Sequence, residues 1–211
     1  VFAGSYLEAH VELDALKKRH PDQLWVTPLD VTNQESVDAA AAVLRSTASK
    51  LDLLVNNAGL AVDRSKTILE PLAFEDMKRI YDVNALGPLR VTQSVLDLLM
   101  AANRGVLVNI SSMAGSVERL TRTTQYGYTM SKAAVNVQSK LIRNHLGPGG
   151  LTVLSIHPGA MPTLILGDPE ITRQAPVSTQ ESAEGIVDLA ERDWPVDGPL
   201  FMDYAGTPLP W

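Results

Sequence analysis

Apolar residues along this chain follow two alternating rhythms. Short runs that are apolar at consecutive positions end in turn residues at 1–3, 24–31 ("LWVTPLDV"), 51–55 ("LDLLV"), 106–110 ("VLVNI") and 151–156 ("LTVLSI"), and a sixth, "PLFMDY", lies near the C-terminus. Between them, "EAHVELDALKKR", "NQESVDAAAAVLRSTASK", "FEDMKRIYDVNALGPLRVTQSVLDLLMAA", "TMSKAAVNVQSKLIRNHL" and "TQESAEGIVDLAERD" repeat apolar residues at the three-and-four spacing of one helix face. Strands apolar on both faces, joined by helical crossovers, predict a parallel sheet covered by helices on each side, the doubly wound α/β class. A chain of 211 residues without an internal repeat predicts a single domain. Residues 161–179 ("MPTLILGDPEITRQAPVST") have no clear period, and their Gly and three Pro predict a loop or lid.

Composition narrows the functions on offer. With 45% hydrophobic and 20% charged residues and no apolar run of membrane-spanning length, the chain reads as a soluble protein with no membrane partner, placed in the cytoplasm. A net charge of -6 with dispersed basic residues lacks the footprint of a nucleic-acid binder. The absence of cysteine removes disulfides and thiolate chemistry, and no metal site is expected. The opening "VFAGSY" has no charged segment ahead of an apolar stretch, so it reads as a strand inside a domain and not as a signal peptide.

Ligands of doubly wound sheets bind beyond the carboxyl ends of the strands. Those ends are small and polar here: Asn56 to Gly59, Asn109 to Ser112, His157 to Gly159, and Asp30. Taken singly they are weak signals, since Asn and Gly are common turn formers and His157, without an acidic neighbour in sequence, reads as a packed or capping histidine. The stretch "QYGYTMSKAAVN" says more. Tyr128 stands four residues ahead of Lys132, which puts both on one helix face, and chance would supply such a pair only about 0.17 times in a chain with this Tyr and Lys content. An ordinary phenol is a poor acid at neutral pH; a nearby ammonium favours the phenolate and brings it toward the working range. A tyrosine beside a lysine therefore makes sense as a proton donor.

Together these residues resemble the short-chain dehydrogenase/reductase family, over nearly the whole chain from the second strand onward. "NNAG", the Asn of "YDVNALGPL", the second Ser of "NISS", Tyr-x-x-x-Lys and "PG-x-x-x-T" occur in the family's order. The resemblance implies Tyr128 as proton donor, Lys132 lowering its pKa and holding the nicotinamide ribose, Ser112 binding the substrate carbonyl, and Asn84 holding the water of a proton relay. It further implies Asn57, Ala58 and Gly59 along the adenine-ribose side, Asp30 with Val31 at the adenine, and Pro158, Gly159 and Thr163 at the nicotinamide end. The 16-residue spacing from Ser112 to Tyr128, longer than is common in the family, and the C-terminal "FMDYAGTPLPW" are similar to the C-factor and sniffer-type carbonyl reductases.

The resemblance implies an NAD(P)(H)-dependent reductase of carbonyls or dehydrogenase of alcohols, with NADP(H) favoured by the subgroup. The residue that usually reads the 2′-phosphate is replaced by Ser5 and Tyr6. The family opens with a strand and a Gly-rich turn for which this sequence has no counterpart, so the first strand of the sheet is expected to be missing and the natural product to be longer by about 25 to 30 residues. That strand lies at the centre of the order 3-2-1-4-5-6, so the first two runs should lack a partner linking them to the rest. The competing reading is a non-catalytic binding or signalling protein on the same scaffold; an epimerase or dehydratase on a related fold is a third. A small carbonyl or alcohol is the implied substrate, met by 60–66, 115–125 and 161–179, and the helices around Asn84 and after Tyr128 are expected to pair in a homodimer or homotetramer.

Overall fold

In a computed structural model, residues 1–6, 11–63, 65–163, 165 and 175–211 are described. The six strands among the described residues all run parallel, but in two sheets. β1 (Phe2–Ser5) pairs with β2 (Trp25–Pro28) across α1 (Val11–Arg19), while β3 (Leu53–Asn56), β4 (Val106–Ile110), β5 (Thr152–His157) and β6 (Phe201–Asp203) lie side by side in that order. Among the described residues β1 bonds only to β2 and β3 only to β4, so no strand hydrogen bond joins the two sheets. The connections are helical: α2 (Gln34–Thr47) before β3, α3 (Phe74–Tyr81), α4 (Gly87–Ser94) and α5 (Leu96–Met100) before β4, α6 (Tyr126–Leu146) before β5 and α7 (Thr179–Glu191) before β6.

Side chains join the two sheets where hydrogen bonds do not. The apolar face of α2 supplies Ala41 and Leu44 to a core that also holds Leu98, Leu99, Leu107, Leu151 and Val153, with Phe2 of β1 and Leu54 of β3 packed against it. A second core, under α7, contains Val108, Leu154, Ile156, Leu189 and Met202. Asn33 starts α2 by accepting from the Ser36 N–H at 3.2 Å, satisfying a donor that the helix cannot pair internally.

The longest helical pattern, expected as one helix from "FEDMK" to "LLMAA", is broken twice. Asp82–Leu86 forms a π-helical turn, in which the Gly87 N–H reaches back to the Asp82 carbonyl. Pro88 follows, and lacking an N–H it cannot donate to the carbonyl of Asn84 four residues earlier. Val95, at φ -123 and ψ 14, ends α4 and starts α5. The 161–179 segment lies in part outside the described residues.

Candidate active site

The carboxyl ends of β4 and β5 lie against α6, where Asn136 bonds Ser111 and Ser155 and Lys132 bonds the Ile110 carbonyl, and the residues expected from sequence as the catalytic set lie around them. Ser112 ends the β4 strand extension and caps a short 3-10 turn (Met113–Gly115), its hydroxyl accepting from the Ala114 N–H at 3.1 Å. That turn runs hard against α6: a Cβ on Gly115 would stand 2.7 Å from the Lys132 carbonyl oxygen. Only glycine permits this approach, and it brings Ser112 up to the first turn of α6, where Tyr128 lies.

The Tyr128 phenol lies beside Ser112, near enough for the Ser112 hydroxyl to act on its pKa. Burial pushes its pKa above the ordinary tyrosine value; the Ser112 hydroxyl and the Arg122 charge pull against that rise. The four-residue step to Lys132 predicts a lowered value, and desolvation reverses it. In the structure Lys132 Nζ sits 5.8 Å from the Tyr128 ring centre and donates to the Ile110 carbonyl at 2.7 Å. Lys132 itself is almost wholly buried, and burial lowers its pKa from 10.5 to about 8.

Asn84 is held from three sides. Its Oδ1 accepts from the Leu60 N–H at 2.7 Å, and its Nδ2 donates to the Leu60 carbonyl and to Ser131 Oγ, each at 2.9 Å. Both amide hydrogens are thus used, so a water at this position would meet the Asn84 side chain only by donating to the second lone pair of Oδ1. Ser131, fully buried, passes the link on by donating to the Tyr128 carbonyl at 2.7 Å. Beneath lies a buried polar layer: Asn136 Oδ1 accepts from Ser111 and Ser155, both at 2.7 Å, its Nδ2 donates to the Gly115 carbonyl at 3.2 Å, and Asn56 donates to Asn109 at 2.8 Å. Ser131 and Asn136 share the Tyr128–Lys132 helix at three- and four-residue steps, so helical periodicity is the signal in the sequence that marks them.

The remaining expected residues lie in two places. Asn57 and Ala58 are exposed after β3, and Gly59 approaches Ile165, whose Cδ1 would be 3.2 Å from a Cβ there. Pro158 accepts from Ser182 Oγ at 2.7 Å, Gly159 takes a left-handed φ of 84, and Thr163 is half-buried beyond them. Asp30 and Val31 follow β2, in the other sheet. The Asp30 carboxylate accepts from the Thr32 N–H at 2.9 Å and the Thr32 hydroxyl at 2.7 Å, while Val31 packs on Gly87 and its carbonyl accepts from Arg90 at 3.2 Å. His157 is half-buried with no partner on Nδ1, and burial lowers its pKa.

Residues 4–172 match the short chain dehydrogenase family. The chain belongs to that family. It is similar to the C-signal of Myxococcus xanthus, 35% identical over 76% of this chain and 93% of the relative. Among solved structures it resembles the NADPH-bound carbonyl reductase from chicken fatty liver, with a TM-score of 0.87 at 30% identity over 100% of this chain and 87% of that one. It also resembles the carbonyl reductase Sniffer of D. melanogaster, with a TM-score of 0.89 at 26% identity over 100% and 87%. Family membership makes the chain an NAD(P)-dependent oxidoreductase in the general sense. No described helix is long and apolar enough to cross a membrane.

Proposed function

We propose that the protein reduces a small carbonyl compound, or oxidises the matching alcohol, with Tyr128 giving or taking the proton. The observation that carries this reading is the meeting of Tyr128 with Ser112 at the strand ends, beside a buried Lys132. In the reducing direction the Ser112 hydroxyl and the Tyr128 phenol would hold the carbonyl oxygen, and the phenol proton would pass to it as the carbon accepts hydride. NADPH is the proposed hydride source; the chicken liver enzyme that this fold resembles binds it.

Lys132 fits a nicotinamide nucleotide on its own geometry. An ammonium has three donors, and one is spent on the Ile110 carbonyl. A buried cation without a carboxylate partner among the described residues is costly, and a ribose diol would supply the missing acceptors. Asn57 to Gly59, Pro158, Gly159 and Thr163 would line the nucleotide, with Asp30 and Val31 at the adenine.

The relative named C-signal favours a second reading, a non-catalytic binding or signalling scaffold. Tyr128→Phe separates the two. The reductase reading expects kcat to fall by about 10³-fold with NADPH affinity kept, followed by absorbance of the reduced nicotinamide; an unchanged biological effect of this variant would favour the scaffold. Pairing of α6 across a dimer axis is also proposed. Val137 and Leu141 are 60% and 63% exposed on its outer face, whereas Leu98 and Leu99 of α5 lie in the core.

A further inference from the structure

The helix that carries Tyr128 is not capped by its own sequence. Gln125, the residue before its first turn, takes a left-handed φ of 62 and ψ of 45, makes no side-chain cap, and turns its amide oxygen to accept from Arg122. The cap comes from the loop after β3 instead. Asp63 Oδ2 accepts from the Gly127 N–H at 2.5 Å and from the Tyr128 N–H at 3.2 Å, across 64 and 65 residues. These are the second and third residues of the helix, the amides an N-cap side chain serves. Asp63 Oδ1 is buried without a partner, and Asp63 forms no ion pair among the described residues, so the positive end of α6 is the counter-charge in view. Gly127 makes the approach possible, since a Cβ there would come within 2.9 Å of Asp63 Oδ2 and 3.0 Å of the Met77 Cα.

We infer that Asp63 is a positioning residue for Tyr128, a cap supplied from a distant loop of the same chain that keeps the first turn of α6 wound so that the phenol stays against Ser112. The inference rests on the proposed reductase reading. The loop is pinned at two points, Leu60 on the Asn84 side chain and Asp63 on α6, so the cap ties the helix that holds Asn84 to the helix that holds Tyr128. Lys132 lies one turn deeper with its own anchor on Ile110. Loss of the cap therefore frays the Tyr128 end and spares the Lys132 end, and a displacement of about 1 Å at a reacting group costs on the order of 100-fold in rate.

The test compares Asp63→Ala, which removes cap and charge, with Asp63→Asn, which removes charge and keeps an acceptor. In Asp63→Ala we expect amide hydrogen exchange at Gly127 and Tyr128 to quicken about tenfold or more while β4 and β5 stay protected, and kcat to fall about 10- to 100-fold with NADPH KM within about twofold. Asp63→Asn should restore both. The Tyr128 phenol, titrated without cofactor as the difference from Tyr128→Phe, has the Arg122 charge acting on it, Lys132 Nζ 5.8 Å from its ring centre, and Asp63 on its backbone N–H; its midpoint should fall further in Asp63→Ala than in Asp63→Asn. Equal falls would mean that charge alone acts and would overturn the inference. So would protected amides in Asp63→Ala, or a kcat loss that Asp63→Asn does not repair. If Asp63→Ala does not fold, Asp63→Asn decides: protected amides support the cap and rapidly exchanging ones overturn it. A wild-type chain that reduces no carbonyl would sink the reductase reading and leave the exchange and phenol results to judge Asp63.

Discussion

The two sheets of this protein share one topology and differ in how they are held. In the four-stranded sheet, β4 and β5 are paired on both sides, their side chains are almost all buried, and a layer of Asn and Ser is hydrogen-bonded beneath α6. In the two-stranded sheet no described residue of α1 is buried, Trp25 is 40% exposed, and the main packing between strands is the stacking of Trp25 on Phe2 at 5.3 Å. A pair of parallel strands without a third is marginal by itself, and this one is tied to the rest by the apolar face of α2. The proposed chemistry sits on the rigid sheet, while Asp30 and Val31 sit beyond the loose one. Precise placement of the proposed proton donor needs the first kind of support, and the proposed adenine contact tolerates the second.

Substitutions can break that contrast at several depths. The largest effect is expected from Leu107→Ala, a fully buried side chain shared by β4 and the α2 core: about 3 to 4 kcal/mol of stability lost in a urea melt. Asn136→Leu should cost about 3 kcal/mol, because the Ser111 and Ser155 hydroxyls and the Gly115 carbonyl lose their shared partner in a dry layer. Trp25→Ala, on the exposed sheet, should cost only about 1 kcal/mol. Asn33→Ala, removing the cap of the helix that joins the halves, belongs in the same range, about 1 kcal/mol. Trp25 reports one sheet and Trp194 and Trp211 the other, so fluorescence of single-tryptophan variants should show the Trp25 region loosening at lower urea; coincident transitions would mean the halves melt as one unit.

A pH experiment sharpens the same contrast inside the rigid half. Burial lowers the folded-state pKa of Lys132 to about 8 from an unfolded value of 10.5. Between those values the unfolded chain binds more protons than the native one, so this lysine costs stability below about pH 8 and the cost is relieved as pH rises above it. Tyr128, raised by burial, works against stability only above the ordinary phenol value of 10. Wild-type stability relative to Lys132→Met should therefore improve from about pH 8 toward 10, while Lys132→Met is the more stable chain at pH 7 and the less active one. A flat difference across that window would show that the ammonium is hydrated in the native state.

The alternation of apolar runs and helical periods determined the parallel α/β class, the order of the elements and the burial of β4 and β5, because a sheet covered on both faces demands consecutive apolar residues whatever surrounds it. The Tyr128 to Lys132 step and the small polar strand ends also marked the candidate site, since they are local spacings on one helix or at one strand end. What the tertiary structure alone decided is whatever depends on residues far apart in the chain. The break around Asn84 occupies its amide with Leu60 and Ser131; burial turned the Tyr128 pKa upward, where a lysine four residues away suggested the opposite; and α6 takes its cap from Asp63. Periodicity reports which face of an element is covered and is silent about what covers it, and hydrogen bonds and desolvation depend on the cover.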